Sequence, residues 1–180
     1  MPSSARLTAS LVIFTASLGL SAAALAASQT VTIHQISPQG VGASIGTVTL
    51  EDSAEGLLIK PDLNNLQPGE HGFHLHENPT CAPGEEKGTI AAGIASGDHF
   101  DPAHNEQHRG PLATDGHKGD LPELDVAADG TATEPLVAPY VTVADIGGRA
   151  LVIHENDDNY SDQPTKLGGG GPRIACGVVE

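Results

Sequence analysis

The chain has 180 residues, 23 of them acidic and 8 Lys or Arg, and a net charge of −15 with histidines neutral. That length suits one domain with a real hydrophobic core. The acidic balance argues against nucleic acid as a partner, because such binding rests on Lys and Arg neutralising phosphates.

The first 26 residues, MPSSARLTASLVIFTASLGLSAAALA, read as a signal peptide. Arg6 supplies a short positive start, Leu7 to Leu20 is mostly apolar, and Ala24-Leu25-Ala26 fits a small-x-small cleavage site. Thr8, Ser10, Thr15 and Ser17 interrupt the run, which disfavours a permanent anchor. Cleavage is expected after Ala26 or Ala27, export to the periplasm follows, and residues 27–180 form the mature domain. No second apolar run of spanning length follows, so no stable membrane insertion is expected after cleavage. Removing Arg6, the one charge in the leader, takes the net charge to −16.

The mature part reads as strands and loops. Strand-like runs fall at Val31–Ile36, Ile45–Leu50, Gly56–Lys60, Gly72–His76, Ala132–Val137, Ala150–His154 and Ile174–Val179. Turn residues separate them and no helical period appears, which points to an all-β sandwich or barrel. Phe73, Phe100, Tyr140 and Tyr160 are the mature aromatics, so Val, Ile, Leu and Ala must build the core.

Within the fourth run, HGFHLH alternates. On a strand Phe73 and Leu75 share one face, and His74 and His76 the other. The two histidine Cα atoms would then lie about 6.6 Å apart, close enough for both rings to meet one metal ion. Two exposed histidines on a half-buried strand would give the same pattern.

Asn78 to Pro122 is about 45 residues of Gly, Pro, His, Asp and Glu, longer than a compact domain usually leaves without function. Disorder is the alternative, but five of the nine histidines fall in it, counting His76 at its edge. His99, His108, His117 and Asp120 are spaced 9, 9 and 3 apart. Three imidazoles and one carboxylate suit a closed tetrahedral zinc site, and a bound ion would hold so long a loop in order. Asn156 to Pro172 is the second long segment, ending in Gly168-Gly169-Gly170-Gly171. That run is either a flexible link or backbone packed tightly beside a site.

Cys81 and Cys176 make an even count. In an oxidising compartment they read as one disulfide, and as free buried thiols otherwise. No GxGxxG, Walker loop or GxSxG is present.

Taken together, HGFHLH (71–76), GDHFDP (97–102), HRGP (108–111), HKGDLP (117–122), GRALVIHEND (148–157), DNYSDQP (158–164) and GGGGPRIACGVV (168–179) resemble the copper–zinc superoxide dismutases, in particular the bacterial exported branch. The resemblance covers nearly the whole mature chain. It implies an all-β fold, a Greek-key β-sandwich or flattened eight-stranded barrel with two long functional loops. It implies copper held by His74, His76, His99 and His154, and zinc held by His99, His108, His117 and Asp120, with His99 bridging. Arg173 matches the arginine that guides the superoxide anion, so Arg173 and His99 are the expected catalytic residues. Asp158 matches the carboxylate linking a copper ligand to a zinc ligand. Cys81 and Cys176 match the family disulfide. The implied reaction turns superoxide into O₂ and H₂O₂.

The donor sets agree with that division. Copper favours an all-nitrogen set, and zinc, which has no redox chemistry, favours the closed set with a carboxylate. An exported copper or zinc buffer and a non-catalytic dismutase-like module are the competing functions. A buffer has no need of Arg173, and a decayed enzyme should lack a copper ligand. Bacterial relatives include monomers and dimers, so a homodimer is compatible with the resemblance. Of the remaining histidines, His71 is expected to fasten a loop, His34 to sit on a strand surface and His104 to be solvated. Lys87 and Lys118 are candidates to add to the positive field around Arg173.

Overall fold

The computed structural model describes residues 27–180. The signal-peptide reading of residues 1–26 therefore lies outside the described residues. Eleven strands follow in chain order: β1 Ser28–Ser37, β2 Gly40–Ser53, β3 Gly56–Leu63, β4 Gly69–His71, β5 Phe73–His76, β6 Gly84–Glu86, β7 Thr89–Ala91, β8 Leu124–Val126, β9 Leu136–Ala138, β10 Arg149–His154 and β11 Arg173–Val179. One helical turn, α1 Val143–Ile146, precedes β10. Among the described residues no helix is long and apolar enough to cross a membrane.

Seven strands form a curled antiparallel sheet in the order β5-β10-β11-β1-β2-β3-β9. The expected all-β architecture is the observed one. Alternation creates its two faces. In β3, Leu57, Ile59 and Leu63 are buried, whereas Lys60 and Asp62 are exposed. Val31 and Ile33 of β1, and Ile45, Val48 and Leu50 of β2, join the same cluster. Phe73 lies in it with no exposed surface, and aliphatic side chains supply most of the rest.

Two expectations shift. The run Ala132–Val137 is not one strand. Ala132 makes only a bridge to Leu63, with both N···O distances 3.1 Å, and β9 begins at Leu136. Pro135, between them, has no N–H to continue a ladder. The segment from Asn78 to Pro122 is also more regular than its composition indicates. It folds a β6–β7 hairpin, with Lys87 at φ 50° and Gly88 at φ 82° in the turn, and a 3₁₀ turn at Ile94–Ser96.

Strand β4 pairs with β8 outside the main sheet. It carries His71, which is buried, its ring lying between the carbonyls of His154 (2.7 Å) and Gln67 (2.8 Å). His71 therefore fastens β4 to the end of β10, as expected of a loop-fastening residue.

Candidate metal centre

All four side chains of β5 are buried, His74 and His76 as completely as Phe73 and Leu75. A strand at the edge of a sheet should leave its outer row of backbone groups unpaired. Here the long loop returns along that edge. Leu75 N donates to Gly119 O and Phe100 N to Leu75 O, each at 2.8 Å, and His76 bridges His99 while His74 bridges Asp120. On the other side β5 pairs with β10, His74 opposite Val152 and His76 opposite Ala150. An irregularity after Ile153 then sets His154 opposite Arg173 of β11.

Two groups of ligating side chains result. One ligand atom from each of His74, His76, His99 and His154 lies within 4.8 Å of the others, and the same holds for His99, His108, His117 and Asp120. His99 belongs to both. Every residue in both groups is buried.

The hydrogen bonds of the rings decide which nitrogens are free. His74 Nε2 donates to Asp158 Oδ2 and His108 Nε2 to Asp158 Oδ1, both at 2.7 Å. His76 Nδ1 donates to Gly97 O (2.8 Å), and His154 Nδ1 to Gly171 O (3.1 Å). A neutral ring that donates from one nitrogen offers a lone pair at the other. His74 Nδ1, His99 Nε2, His108 Nδ1 and His117 Nδ1 are buried with no hydrogen-bond partner. An orphaned buried polar atom costs about 1–3 kcal/mol, and a metal ion in each group would satisfy two of the four, those of His74 and His99 in one and those of His108 and His117 in the other. The residues present fit copper and zinc.

Asp120 is aimed by backbone. Its Oδ2 accepts from Arg109 N and Gly110 N, both at 3.1 Å. Its Oδ1 then lies 2.9 Å from Nδ1 of His99, 2.9 Å from Nδ1 of His108 and 3.4 Å from Nδ1 of His117. Asp158 also lies near His74 and His108, but through the ring nitrogens that point away from the orphaned ones. It is a link between the two groups and not a third ligand set.

Burial, then neighbouring rings, holds His76 and His99 well below the ordinary imidazole range. The same causes bring His154 down to about 3. Burial also lowers His74. These rings are neutral, the form that binds metal. For His108 burial acts in the same sense, but the carboxylates of Asp120, 2.9 Å from Nδ1, and Asp158, bonded to Nε2, outweigh it and carry the ring up to about 9. Burial opposes ionisation of Asp120, and its histidine neighbours still keep it far below the usual carboxylate range.

Arg173 stands beside the four-histidine group. One of its terminal nitrogens donates to Gly93 O (2.7 Å) and Ser96 Oγ (3.0 Å), and the other to Gly97 O (2.8 Å). The Gly97 carbonyl serves both Arg173 and His76. Cys81 and Cys176 are joined in a disulfide, which ties the loop carrying these acceptors to β11, the strand that carries Arg173.

The family profile described as copper/zinc superoxide dismutase matches residues 44–179. This chain belongs to the copper/zinc superoxide dismutase family. A copper–zinc superoxide dismutase of Brucella abortus is 49% identical over 158 residues, 87% of this chain and 91% of that protein. One from Neisseria meningitidis is 48% identical over 155 residues, 86% of this chain and 83% of that one. Among solved structures, the Brucella abortus copper/zinc enzyme superposes with a TM-score of 0.83 at 48% identity, covering 86% of this chain and all of the other. The monomeric copper, zinc enzyme of Salmonella enterica gives 0.76 at 48% identity, with the same coverage.

In this dismutase every ligating residue read from the sequence falls in one of the two groups. His104 is exposed, as expected of a solvated residue. His34 is half-buried on β1, its Nδ1 3.2 Å from Gly42 O. Lys118 is paired with Asp145 at 2.7 Å, and Lys87 is exposed at the hairpin turn. Glu123 and Tyr160, which hold Asp158, carried no signal beyond their proximity to the HKGDLP and DNYSDQP motifs.

Proposed function

We propose that this chain dismutates superoxide, two O₂⁻ and two protons giving O₂ and H₂O₂, with copper held by His74, His76, His99 and His154 and zinc by His99, His108, His117 and Asp120. The observation that carries the reading is the set of orphaned, buried ring nitrogens in two groups that share His99. When bound, copper supplies a one-electron couple and zinc a fixed charge without redox chemistry. His99 faces both groups, so its Nε2 can hold a proton next to the reacting anion while its Nδ1 stays committed to the zinc side. Asp158 keeps His74 and His108 in the tautomers that leave each Nδ1 bare.

Arg173 binds and orients the anion. Its guanidinium is permanently charged, and three acceptors fix the plane of its fork. A net charge of −15 does not defeat this, because charge beyond about 8 Å is screened in physiological salt, and a cleft focuses the local field.

We also read residues 1–26 as a cleaved leader and the mature domain, 27–180, as periplasmic. The bonded Cys81–Cys176 pair supports an oxidising compartment. Mass measurement of the exported chain, beginning at residue 27 or 28, tests this.

Superoxide decay by the metal-loaded protein, followed with and without a copper chelator, tests the function. Fast decay abolished by the chelator is expected. Copper binding without decay would identify a buffer, and no copper binding a non-catalytic module. Metal analysis of His76→Ala, expected to keep zinc, and Asp120→Ala, expected to keep copper, tests the assignment of the two groups.

A further inference from the structure

Glu123 lies three residues beyond Asp120, where the N–H of Asp158 favours its carboxylate but the rest of its surroundings opposes it. Burial and the charges of Glu70, Asp158 and Asp157 all push its carboxyl above the usual range. Its position is nevertheless specific. Asp158 N donates to Glu123 Oε1 at 2.6 Å. Glu123 N donates to Tyr160 Oη at 3.0 Å, and Tyr160 N donates to Asp158 Oδ1 at 2.8 Å. The three residues close a ring of hydrogen bonds. Tyr160 holds its place in that ring at φ 53°, in the left-handed region, which a non-glycine residue keeps only when its surroundings over-determine it. Its aromatic ring lies against Gly110, whose N–H in turn donates to Asp120.

What the ring controls is Asp158. That residue is 4% exposed, so its N–H has no water to fall back on. Its carboxylate must reach His74 with one oxygen and His108 with the other. A small turn of the Asp158 backbone would favour one histidine over the other. We propose that Glu123 is a positioning residue, which fixes the backbone of Asp158 through its Oε1 so that one carboxylate sets the tautomers of a copper ligand and a zinc ligand together. This rests on the two-metal reading given above. The role belongs to the acceptor oxygen and not to the charge.

The test uses the full mature protein loaded with copper and zinc. The affinity of each metal is measured by chelator competition, and the copper EPR spectrum and metal-free urea midpoint are recorded alongside. Glu123→Leu removes the acceptor and leaves the backbone bond to Tyr160. It should weaken copper and zinc together by about tenfold, the lower end for outer partners of metal ligands, and change the copper spectrum. Glu123→Gln keeps an acceptor oxygen and should restore both affinities to within about twofold of wild type. In an Asp158→Ala background Glu123→Leu should add nothing, because partners in one network are not additive.

The proposal is overturned if Glu123→Leu lowers only the urea midpoint, if Glu123→Gln is as damaging as Glu123→Leu, or if the two losses add. Intact binding of both metals in Asp158→Ala would overturn the linking role of Asp158 and the proposal with it, and failure of the unsubstituted protein to bind copper and zinc would overturn the two-metal reading itself. A weakened Asp158→Ala beside an unaffected Glu123→Leu would overturn the role of Glu123 alone.

Discussion

The Nε2 atoms of His76 and His154 face each other at 3.4 Å. Each ring donates from Nδ1 to a carbonyl, so two lone pairs meet in a buried site. In the metal-free protein such rings make stability depend on pH. His74, His76, His99 and His154 resist a proton that the unfolded chain accepts below about 6.5. Folding stability therefore falls as pH drops below that value, down to about 3 for His154. Asp120 and Asp158, both depressed, add to the acid loss as pH falls through the ordinary carboxylate range. His108, raised to about 9, has the opposite sign. Its contribution is complete below about 6.5 and is lost as pH rises through about 9. The metal-free protein should be most stable near pH 6.5. Urea midpoints at about pH 4, 6.5 and 9 check this, and a midpoint at pH 4 or pH 9 above that at pH 6.5 would contradict it.

Six of the seven ligands were legible because their spacing is local, whereas His154, far along the chain, was assigned only through the family resemblance. The alternation of HGFHLH puts two rings on one strand face, and 99, 108, 117 and 120 fall in one loop. The closure of that face was not legible. It depends on Gly119 and Phe100 returning to pair with Leu75, a contact no periodicity encodes. The β4–β8 ladder escaped for the same reason, since each strand has three residues and neither pairs with a sequence neighbour. The β6–β7 hairpin left only Lys87-Gly88 as a turn signal inside a loop-like composition. Glu123 acts through its side-chain oxygen on a backbone N–H 35 positions away, which sequence reasoning cannot see.

The disulfide links stability to the anion site. Cys81 and Cys176 are 95 positions apart, and chain entropy alone assigns a loop of that size about 4.7 kcal/mol. The tethered loop also supplies Gly93, Ser96 and Gly97, and Ala95 N bonds Ala82 O beside Cys81. The double substitution Cys81→Ser, Cys176→Ser should lower the Tm of the metal-loaded protein, and it should lower superoxide turnover more than copper content. Calorimetry, metal analysis and a decay assay on one sample decide it. Turnover per copper equal to wild type would show that the tether does not position Arg173.

Arg173 separates charge from geometry. Arg173→Ala removes both and should slow superoxide decay by about ten- to hundredfold, the equivalent of one charge-assisted hydrogen bond of about 1.5–3 kcal/mol. Arg173→Lys keeps the charge but loses the fork that holds Gly93, Ser96 and Gly97 together, so its rate should fall between the two. The salt dependence of the rate should weaken in Arg173→Ala and persist in Arg173→Lys. Stopped-flow rates over a salt series measure it. Wild-type salt dependence in Arg173→Ala would remove the guanidinium from the steering role.

Gly168 gives the sharpest test of the link between the two groups. A Cβ there would lie 1.7 Å from Asp158 Oδ1 and 2.8 Å from His108 Nε2, so the bridging carboxylate could not stay where it is. Its φ of 72° adds the usual left-handed strain of a non-glycine residue. Gly169 separates the two effects. It has φ 80°, but a Cβ there meets nothing nearer than Thr165 Cβ at 4.0 Å. Gly168→Ala and Gly169→Ala should therefore lose comparable stability to strain, roughly 1–2 kcal/mol each. Only Gly168→Ala should also weaken both metals, by about ten- to hundredfold, because only it displaces Asp158 from His74 and His108. Chelator competition on the two variants, with urea midpoints for the strain, tests this. If the two bind copper and zinc equally well, Asp158 does not hold the ligands of both metals at once.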